Sequence, residues 1–397
     1  GPYTIKLGNY FCFDQPGSLQ EHIIGDMGVS TTTFTLLYSV FSWSNIVVNL
    51  LGGYLVDRYL GIRLGSIICC CFTVLGQFLL GVGAYVNQFW VMLFARFVFS
   101  LGSDNLTLIG YMRAIQWFPE SELNFVFGMQ LSVNRFGSTI SFIAMEPLYN
   151  YVNQYITAYK CLGVVFMSVA ALPAMDLILA IVLALLDTRA QRLLDTKSGQ
   201  RERNPNDKIK FKDIVQFKLD YWLLVWVIVF NYSAVFPFIS LGIPFYKRKF
   251  GFSGSEANVI NSSIYFISIF ASPVMGFIIG RVGHNLLFVT LSVLLTAISH
   301  AILGFTFVNP WVSIVLMGIA YSIFACIVWT VISFIVPKNT LGTAFGISQA
   351  LINLILGLID LAVGYIIDNK VTIILMLVLL IYDHKKGDVL DKRRVHQ

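Results

Sequence analysis

The chain has 397 residues, of which 57% are hydrophobic, 15% aromatic and only 12% charged. A soluble domain carries about 25% charged residues, so this composition excludes a protein whose whole surface faces water. The net charge of +6 does not indicate nucleic-acid binding, because Lys and Arg are concentrated in a few loops and in the C-terminal tail. A polytopic α-helical protein embedded in membrane lipids is predicted.

Ten apolar runs, separated by short polar, Gly or Pro breaks, are long enough to cross a bilayer. They lie near 34–56, 64–86, 90–115, 122–149, 161–187, 219–245, 256–280, 285–308, 311–336 and 341–367. Two further runs, 3–13 and 371–382, are about half of the ~20 residues that a span needs. We interpret both as truncated outer helices, which gives twelve spans; the alternative is that these ends lie on the membrane surface.

Two kinds of site are not expected. The six cysteines lie in or beside apolar runs, with no CxxC or Cys/His spacing, so neither disulfides nor a metal site is predicted. No GxSxG, HExxH or GxxxxGK sequence is found, so no cofactor is expected and an enzyme is the least favoured class.

The charged segment 188–218 divides six spans from six and holds nine Lys and Arg residues. We predict an N-terminal six-helix bundle at 1–187, a cytosolic linker at 188–218, a C-terminal bundle at 219–382 and a cytosolic tail at 383–397. Loops on the linker's side of the membrane are richer in Lys and Arg than those on the other side. The positive-inside rule therefore predicts that both termini are cytosolic.

An internal repeat relates the two halves. At an offset of 223 residues the sequence superposes four pairs: Gly28 on Gly251, Ser30 on Ser253, Gly53 on Gly276 and Arg58 on Arg281. Each copy is a short polar entry followed by a helix that ends in Gly-x-x-x-x-Arg. Two parallel six-helix repeats are a transporter architecture, in which the substrate site is expected between the halves near the bilayer midplane.

The first of these helix ends, GGYLVDRYLGIRLG, combines glycines with fixed charges. Gly53 and Gly61 permit close helix approach and a tight turn, Asp57 can cap a neighbouring helix N-terminus, and Arg58 and Arg63 add anchoring charge. The stretch resembles the signature loop of the major facilitator superfamily, which in that family latches the cytosolic gate. The alternative is an ordinary basic cytosolic loop.

We expect the helix capped by Asp57 to be the one that begins at LGTAFG, after Thr340. The second copy of the loop has Gly280 where the acid belongs, so only the first copy is predicted to form a full latch. Further along, ARFVFSLGSD resembles the superfamily's fourth-helix motif, with Arg96 as its basic residue.

Four longer stretches narrow the resemblance: NYFCFDQPGSLQ, ELNFVFGMQLSVNRFGSTI, NYSAVFPFISLG and NPWVSIVLMGIAYSIFACIVW. Together they resemble a branch of the superfamily whose members export dipeptides from the lysosome. The resemblance implies a dipeptide uniporter that works by alternating access in the lysosomal membrane, with a glycosylated lysosomal membrane protein as accessory subunit. Three Asn-x-Ser/Thr sequons, at Asn105, Asn231 and Asn261, all lie inside predicted spans, where glycosylation does not reach.

Ionisable residues inside spans cost roughly 2.5 to 3.5 kcal/mol each at a helix centre, which implies a use. Asp104 lies 14 residues before Phe118 and Arg135 lies 13 residues after Glu122. At 1.5 Å per residue both are ~20 Å from the linker-side helix ends, so they share the midplane.

Helical phase sorts the neighbours of these two charges. Tyr111 returns to the face of Asp104, whereas Arg113 points to the opposite side and is predicted to be structural. Small and polar residues share the face of Arg135, as expected of the wall of a water-filled cavity: Ser132, Ser138, Thr139 and Gly128.

A carboxylate and a guanidinium at one depth suit a zwitterion, because Arg135 can grip a carboxylate and Asp104 can receive an ammonium. The alternative is that the two charges simply neutralise each other. Further candidates for the substrate site are Tyr10, Tyr111, Tyr232, Tyr265, Trp329 and Asn353. For the aromatic residues, the alternative is a role in helix packing alone.

The resemblance leads us to expect a glutamate where Asp104 stands and a tyrosine where Arg113 stands. The shorter acid leaves the preferred substrate size open. Two other functions remain open at this stage: proton-coupled transport of an amino acid, sugar or organic anion, and a receptor or scaffold that transports nothing.

Overall fold

The computed structural model of the chain describes residues 7–198 and 217–368, and these residues form helices and short connections without any strand. The α-helices are α1 Leu7–Ser18, α2 Gln20–Met27, α3 Thr31–Leu55, α4 Gly61–Tyr85, α5 Phe89–Trp117, α6 Leu123–Asn153, α7 Tyr159–Val169, α8 Ala171–Ser198, α9 Leu219–Phe250, α10 Gly254–Val282, α11 Asn285–Phe305, α12 Pro310–Ile335 and α13 Leu341–Asp368. A π-helical turn, Val56–Leu60, joins α3 to α4, and short 3₁₀ turns precede α6 and α13.

Within residues 7–198 and 217–368, eight helical stretches are long and apolar enough to cross a membrane, and one of them, Thr33–Tyr85, covers most of α3 and all of α4. All ten long predicted runs fall on helices of the structure. The predicted run at 371–382 and the tail at 383–397 lie outside the described residues.

The first helix is longer than predicted. The apolar run 3–13 stops before Asp14, but helical residues continue through α1 and α2 to Met27, with a break at Leu19. The prediction failed because polar residues ended the apolar run, although they pair inside the bundle. Gln15, for example, is fully buried and accepts a hydrogen bond from Gln77 at 2.7 Å.

The predicted linker also begins later than the charge pattern indicates. Helix α8 continues to Ser198, into the charged segment, and residues 199–216 lie outside the described part of the chain. We call the side of the membrane where α8 ends and α9 begins the linker side. The connection between α3 and α4 lies on that side, because Arg63, at the start of α4, donates to the Asp187 carbonyl in the second half of α8 at 2.8 Å.

The repeated residues have the same local roles in both halves. Gly28 and Gly251 end their helices with positive φ of 67° and 71°, a conformation that glycine adopts without strain. Ser30 and Ser253 then cap α3 and α10 through their hydroxyl groups. In the second copy Glu256 completes a capping box, and hydrogen bonds from Ser253 lower the pKa of its carboxyl group.

Helices from the two repeats meet along two lines. Helix α3 packs against α13, and α6 packs against α10. The helices α5 and α6, which carry Asp104 and Arg135, therefore lie beside the contact between the repeats.

Candidate functional site

The predicted cap on the helix that begins at LGTAFG is present. The Asp57 carboxylate accepts the backbone N–H groups of Gly342 and Thr343, at 3.0 and 2.5 Å, and the Thr343 hydroxyl at 2.7 Å. These groups form the first turn of α13, where backbone donors lack helical partners and the helix dipole favours an anion. Gly53, one turn earlier on α3, is so close to the Gly342 carbonyl that a Cβ atom has no room. The signature loop thus joins the linker-side ends of α3 and α13.

The basic residues of the loop form hydrogen bonds with groups of the first repeat. Arg58 donates to the Tyr54 hydroxyl, and Arg63 bonds the Asp187 carbonyl on α8. Gly61 has a φ of 66°, which allows the chain to turn from the π-helical segment into α4. A role of these residues in gating stays a prediction.

The second copy of the loop also lies against the opposite repeat. Gly276 and Gly280, on α10, lie against the backbone at Asn124 and Ser121, with no space for a Cβ atom at either glycine. The Asn124 side chain donates to that of Asn285 at 2.8 Å. Gly280 has no carboxylate, so the second copy has no charged helix cap. The repeats are joined there by close backbone packing and by the Asn124–Asn285 hydrogen bond.

Arg96 is 1% exposed and bonds the main chain of two neighbouring helices. It donates to the carbonyls of Cys12 and Phe13 on α1, at 3.4 and 3.1 Å, and to that of Leu37 on α3, at 3.4 Å. Because Pro16 has no N–H, the Cys12 carbonyl four residues earlier lacks its helical donor, and Arg96 supplies one. The residue holds α1, α3 and α5 together; a gating role for it remains a prediction.

Asp104, on α5, is half-buried, and two amides donate to the same carboxylate oxygen. The Asn49 Nδ2 lies 3.0 Å from its Oδ2, and the Asn353 Nδ2 lies 3.4 Å from it. Asn49 belongs to α3 and Asn353 to α13, so the carboxylate lies where these two helices meet. Sequence reasoning named Asn353 but missed Asn49, one of several polar residues in the predicted run 34–56.

Arg135, on α6, is held by two tyrosines. Its Nη2 donates to the Tyr321 hydroxyl at 2.5 Å, and its guanidinium lies 4.1 Å from the centre of the Tyr265 ring. Its Nε is buried and has no hydrogen-bond partner among the described residues. Tyr321 was missed because the sequence of α12 does not show which of its aromatic residues contacts Arg135.

Asp104 and Arg135 do not pair with each other. The ion pairs within residues 7–198 and 217–368 are His22–Glu146 and Arg113–Asp187. Tyr10, on α1, lies within electrostatic range of both Asp104 and Arg135, and its hydroxyl is hydrogen-bonded to Thr107. The two charges therefore share a region with Tyr10, and each is bonded to neutral groups rather than to the other charge.

A second carboxylate, Asp14, also belongs to this region. Its side chain is hydrogen-bonded to Ser138 and lies within electrostatic range of Arg135 and Arg96. Sequence reasoning missed it because the predicted first span ended at Phe13. An acid one residue beyond an apolar run was the available signal.

The candidate aromatic residues divide into two groups. Tyr10 and Tyr265 are half-buried beside the charges, whereas Tyr111, Tyr232 and Trp329 are buried. The Tyr111 ring stacks on that of Trp329, with centroids 5.2 Å apart. These two rings join α5 to α12 on the linker side of Asp104. Tyr232 packs in the second repeat.

Part of the polar face predicted around Arg135 is closed. Gly128 and Ser132 lie against carbonyl groups of α10, where Ser132 donates a hydrogen bond at 2.6 Å and a Cβ atom at Gly128 has no room. The expectation that Gly128 lines a cavity is wrong, because this small residue allows close helix packing, whereas Ser132 is half-buried. Ser138 and Thr139, further along α6, are half-buried.

Arg113 is structural, as its helical phase predicted. Its Nη2 donates to the Ser66 hydroxyl at 3.0 Å, and its Nε lies 3.6 Å from the Asp187 carboxylate. The contacts tie α5 to α4 and α8, on the side away from Asp104.

The architecture is that of a membrane transporter, with two repeated helical halves and an unpaired acid and arginine near their contact. The chain belongs to the Major Facilitator Superfamily, whose family model matches residues 9–359. It is similar to the lysosomal dipeptide transporter MFSD1 of Danio rerio, with 41% identity over 92% of this chain and 79% of that protein. The human protein of the same name is also 41% identical, over 92% of this chain and 78% of its own length. Among solved structures, the E. coli fucose:proton symporter FucP superposes with a TM-score of 0.70 at 13% identity, over 93% of this chain and 92% of that one, a likeness of fold.

Proposed function

We propose that this protein transports dipeptides across the lysosomal membrane as a uniporter, carrying them from the lumen to the cytosol by alternating access. The relatives that are 41% identical are lysosomal dipeptide transporters, which supports the substrate class and the compartment. The site supports it independently, because its chemistry suits a short zwitterion.

The observation that carries the proposal is that Asp104 and Arg135 are not paired with each other. Asp104 accepts only neutral amides, and the Arg135 Nε has no partner among the described residues. A peptide ammonium binds the Asp104 carboxylate more strongly than a neutral amide does. A peptide carboxylate likewise binds the Arg135 guanidinium more strongly than a neutral group does. A site that binds the two backbone ends accepts varied side chains, for which Tyr10 and Tyr265 provide apolar walls.

Alternating access is supported by the contacts between the repeats. We take residues 1–187 and 219–382 as the two moving halves, with 188–218 and 383–397 on the cytosolic side. The Asp57 cap and the stack of Tyr111 on Trp329 both lie on the linker side of Asp104, so they close the path to the cytosol in this state. Transport requires that both separate.

A glycosylated accessory subunit remains part of the proposal. The sequon residues Asn105, Asn231 and Asn261 are 4%, 5% and 8% exposed, and all three lie inside helices. Glycosylation at any of them is not compatible with this packing. A glycosylated neighbour on the luminal side is then one way to shield the chain from lysosomal proteases.

One observation favours a second candidate, proton-coupled transport. Asp14 is a further carboxylate beside Arg135, and recognition of the two peptide ends does not require it. Carboxylates inside membrane helices commonly carry protons in transporters.

A flux assay with the full chain in liposomes tests the proposal. Labelled dipeptides, single amino acids and sugars are compared with and without a pH gradient. Uniport of dipeptides predicts uptake that follows the peptide gradient alone. Uptake driven by the pH gradient favours the second candidate, and liposomes that take up no dipeptide refute the proposed substrate.

A further inference from the structure

The charged group that is proposed to receive the peptide ammonium also belongs to the contact between the repeats. Asp104 lies on α5, in the first repeat, and Asn353 lies on α13, in the second. Their hydrogen bond of 3.4 Å joins residues 249 positions apart. Asn49, the other donor, lies on α3, within the same repeat as Asp104.

Asn353 and Asn49 lie on the two helix faces that pack together. On α3, Asn49, Gly53 and Asp57 recur every four residues, so they share one face. On α13 the facing residues are Gly342 and Gly346, which approach Gly53 and the Asn49 carbonyl so closely that no Cβ atom fits. The Asp57 cap closes one end of this glycine-lined contact, and the amides on Asp104 lie at its other end.

We infer that Asn353 is a positioning residue that senses the substrate: it holds the empty transporter closed on the linker side through Asp104, and the peptide ammonium releases it. This inference rests on the proposed function. Both amides donate to Oδ2, which fills the two acceptor positions of that oxygen, so an ammonium that binds Oδ2 displaces one of the amides. An ammonium brings a full charge and three donors, so it competes most effectively with the longer of the two amide bonds.

The consequence concerns the empty transporter. While no peptide is bound, the bond from Asn353 adds to the α3–α13 contact, and the empty transporter opens slowly on the linker side. With peptide bound, one bond across the repeats is lost and opening is faster. A ligand shifts a conformational equilibrium only by its differential interaction with the two states, and the Asn353 bond supplies such a difference.

The experiment compares two fluxes of a labelled dipeptide in liposomes that hold the full chain. Net uptake into empty liposomes requires the empty transporter to return, whereas exchange against unlabelled dipeptide does not. In the unaltered protein, exchange is expected to exceed net uptake. In Asn353→Ala, the net rate should rise by about threefold to tenfold, the effect of one hydrogen bond on a rate, so that the ratio of exchange to net uptake approaches one.

Asn49→Ala is the matched control, because it removes an amide from the same carboxylate oxygen without removing a bond between the repeats. It should leave the ratio unchanged. Asn353→Gln, which keeps the donor on a longer side chain, should restore part of the ratio. If Asn353→Ala folds poorly, Asn353→Ser is used, since its hydroxyl is too short to reach Asp104.

Two results overturn the inference. The first is a ratio that stays unaltered in Asn353→Ala and Asn353→Ser. The second is an equal loss of peptide affinity in the exchange and net-uptake assays, which makes Asn353 a direct substrate contact. Failure of the proposed function is distinguishable, because the unaltered protein then moves no dipeptide in either assay.

Discussion

Asp57 and Thr343 are 286 residues apart in sequence, yet Thr343 donates two hydrogen bonds to the Asp57 carboxylate, one from its backbone N–H and one from its hydroxyl. Asp57 lies in the π-helical turn that follows α3 of the first repeat, and Thr343 lies in the first turn of α13 of the second repeat. Both the charge and the acceptor capacity of the side chain are used at this one point.

We expect Asp57→Asn to weaken this contact. An amide carries no net charge to interact with the helix N-terminus, an interaction worth up to about 2 kcal/mol when partly buried. The linker-side-closed state should become less populated, which is measured as faster labelling of cysteines introduced on the linker side of Asp104. The reference is the same set of introduced cysteines in the protein that retains Asp57. Labelling and transport equal to that reference would refute the latch.

Replacing Gly53 by Ala should separate α3 from α13. The added Cβ meets the Gly342 carbonyl, a backbone atom that cannot move aside alone. Overpacking of this kind costs about 1 to 3 kcal/mol, which should appear as a lower unfolding temperature or as linker-side opening. Gly357→Ala is the matched control on α13, since nothing lies within 4 Å of its added Cβ. It should stabilise the helix by about 0.5 to 1 kcal/mol. A Gly53 variant that behaves like the control contradicts close packing at this point.

The proposed division of labour between Asp104 and Arg135 predicts opposite responses to capped peptides. Arg135→Ala should weaken the binding of peptides that have a free C-terminal carboxylate. Asp104→Asn should weaken the binding of peptides that have a free N-terminal amine. Each binding free energy should fall by roughly 2 to 5 kcal/mol. An amidated dipeptide should lose little more in the Arg135 variant, and an acetylated one little more in the Asp104 variant. Binding isotherms on purified protein measure both effects.

Arg135→Lys is the control for charge without the guanidinium fork, and it should retain only part of the affinity. A structural pair predicts a different pattern, in which both variants misfold or both bind all peptides normally. Unchanged dipeptide transport by either well-folded variant would reject the assignment.

Arg96→Met should destabilise the protein. The substitution leaves the buried Cys12 carbonyl, which has no helical donor, without a partner, and it removes the bonds to the Phe13 and Leu37 carbonyls. The expected loss is roughly 2 to 4 kcal/mol, read from thermal unfolding in detergent. Arg281→Met serves as the comparison, because the contact of Arg281 with the Phe277 ring is worth less than about 1 kcal/mol at an exposed site. Similar unfolding temperatures for the two variants are the result that contradicts the structural role.

The sequence by itself determined the membrane class and the repeat, and it predicted a common depth for the two central charges. Apolar runs of about 20 residues have one stable solution in lipid, a helix that satisfies its own backbone. The 223-residue offset anticipated equal local roles because caps are short-range: Ser30 and Ser253 each bond a residue three positions on. The partner of Asp57 was also predictable, because the family resemblance indicated a helix cap and the stretch LGTAFG indicated the helix that it caps.

Only the tertiary structure decided which groups meet at the site. Hydropathy marks a polar residue as the end of a span, so Asp14 was lost, although pairing within the bundle makes such residues stable. Helical phase gives the face of a residue but not what lies opposite it. It could not distinguish Gly128, which packs on α10, from Ser138, which is half-buried beside Asp14. Whether Asp104 bonds Arg135 or two amides depends on how α3, α5, α6 and α13 pack together, and that arrangement is set by contacts between residues far apart in the chain.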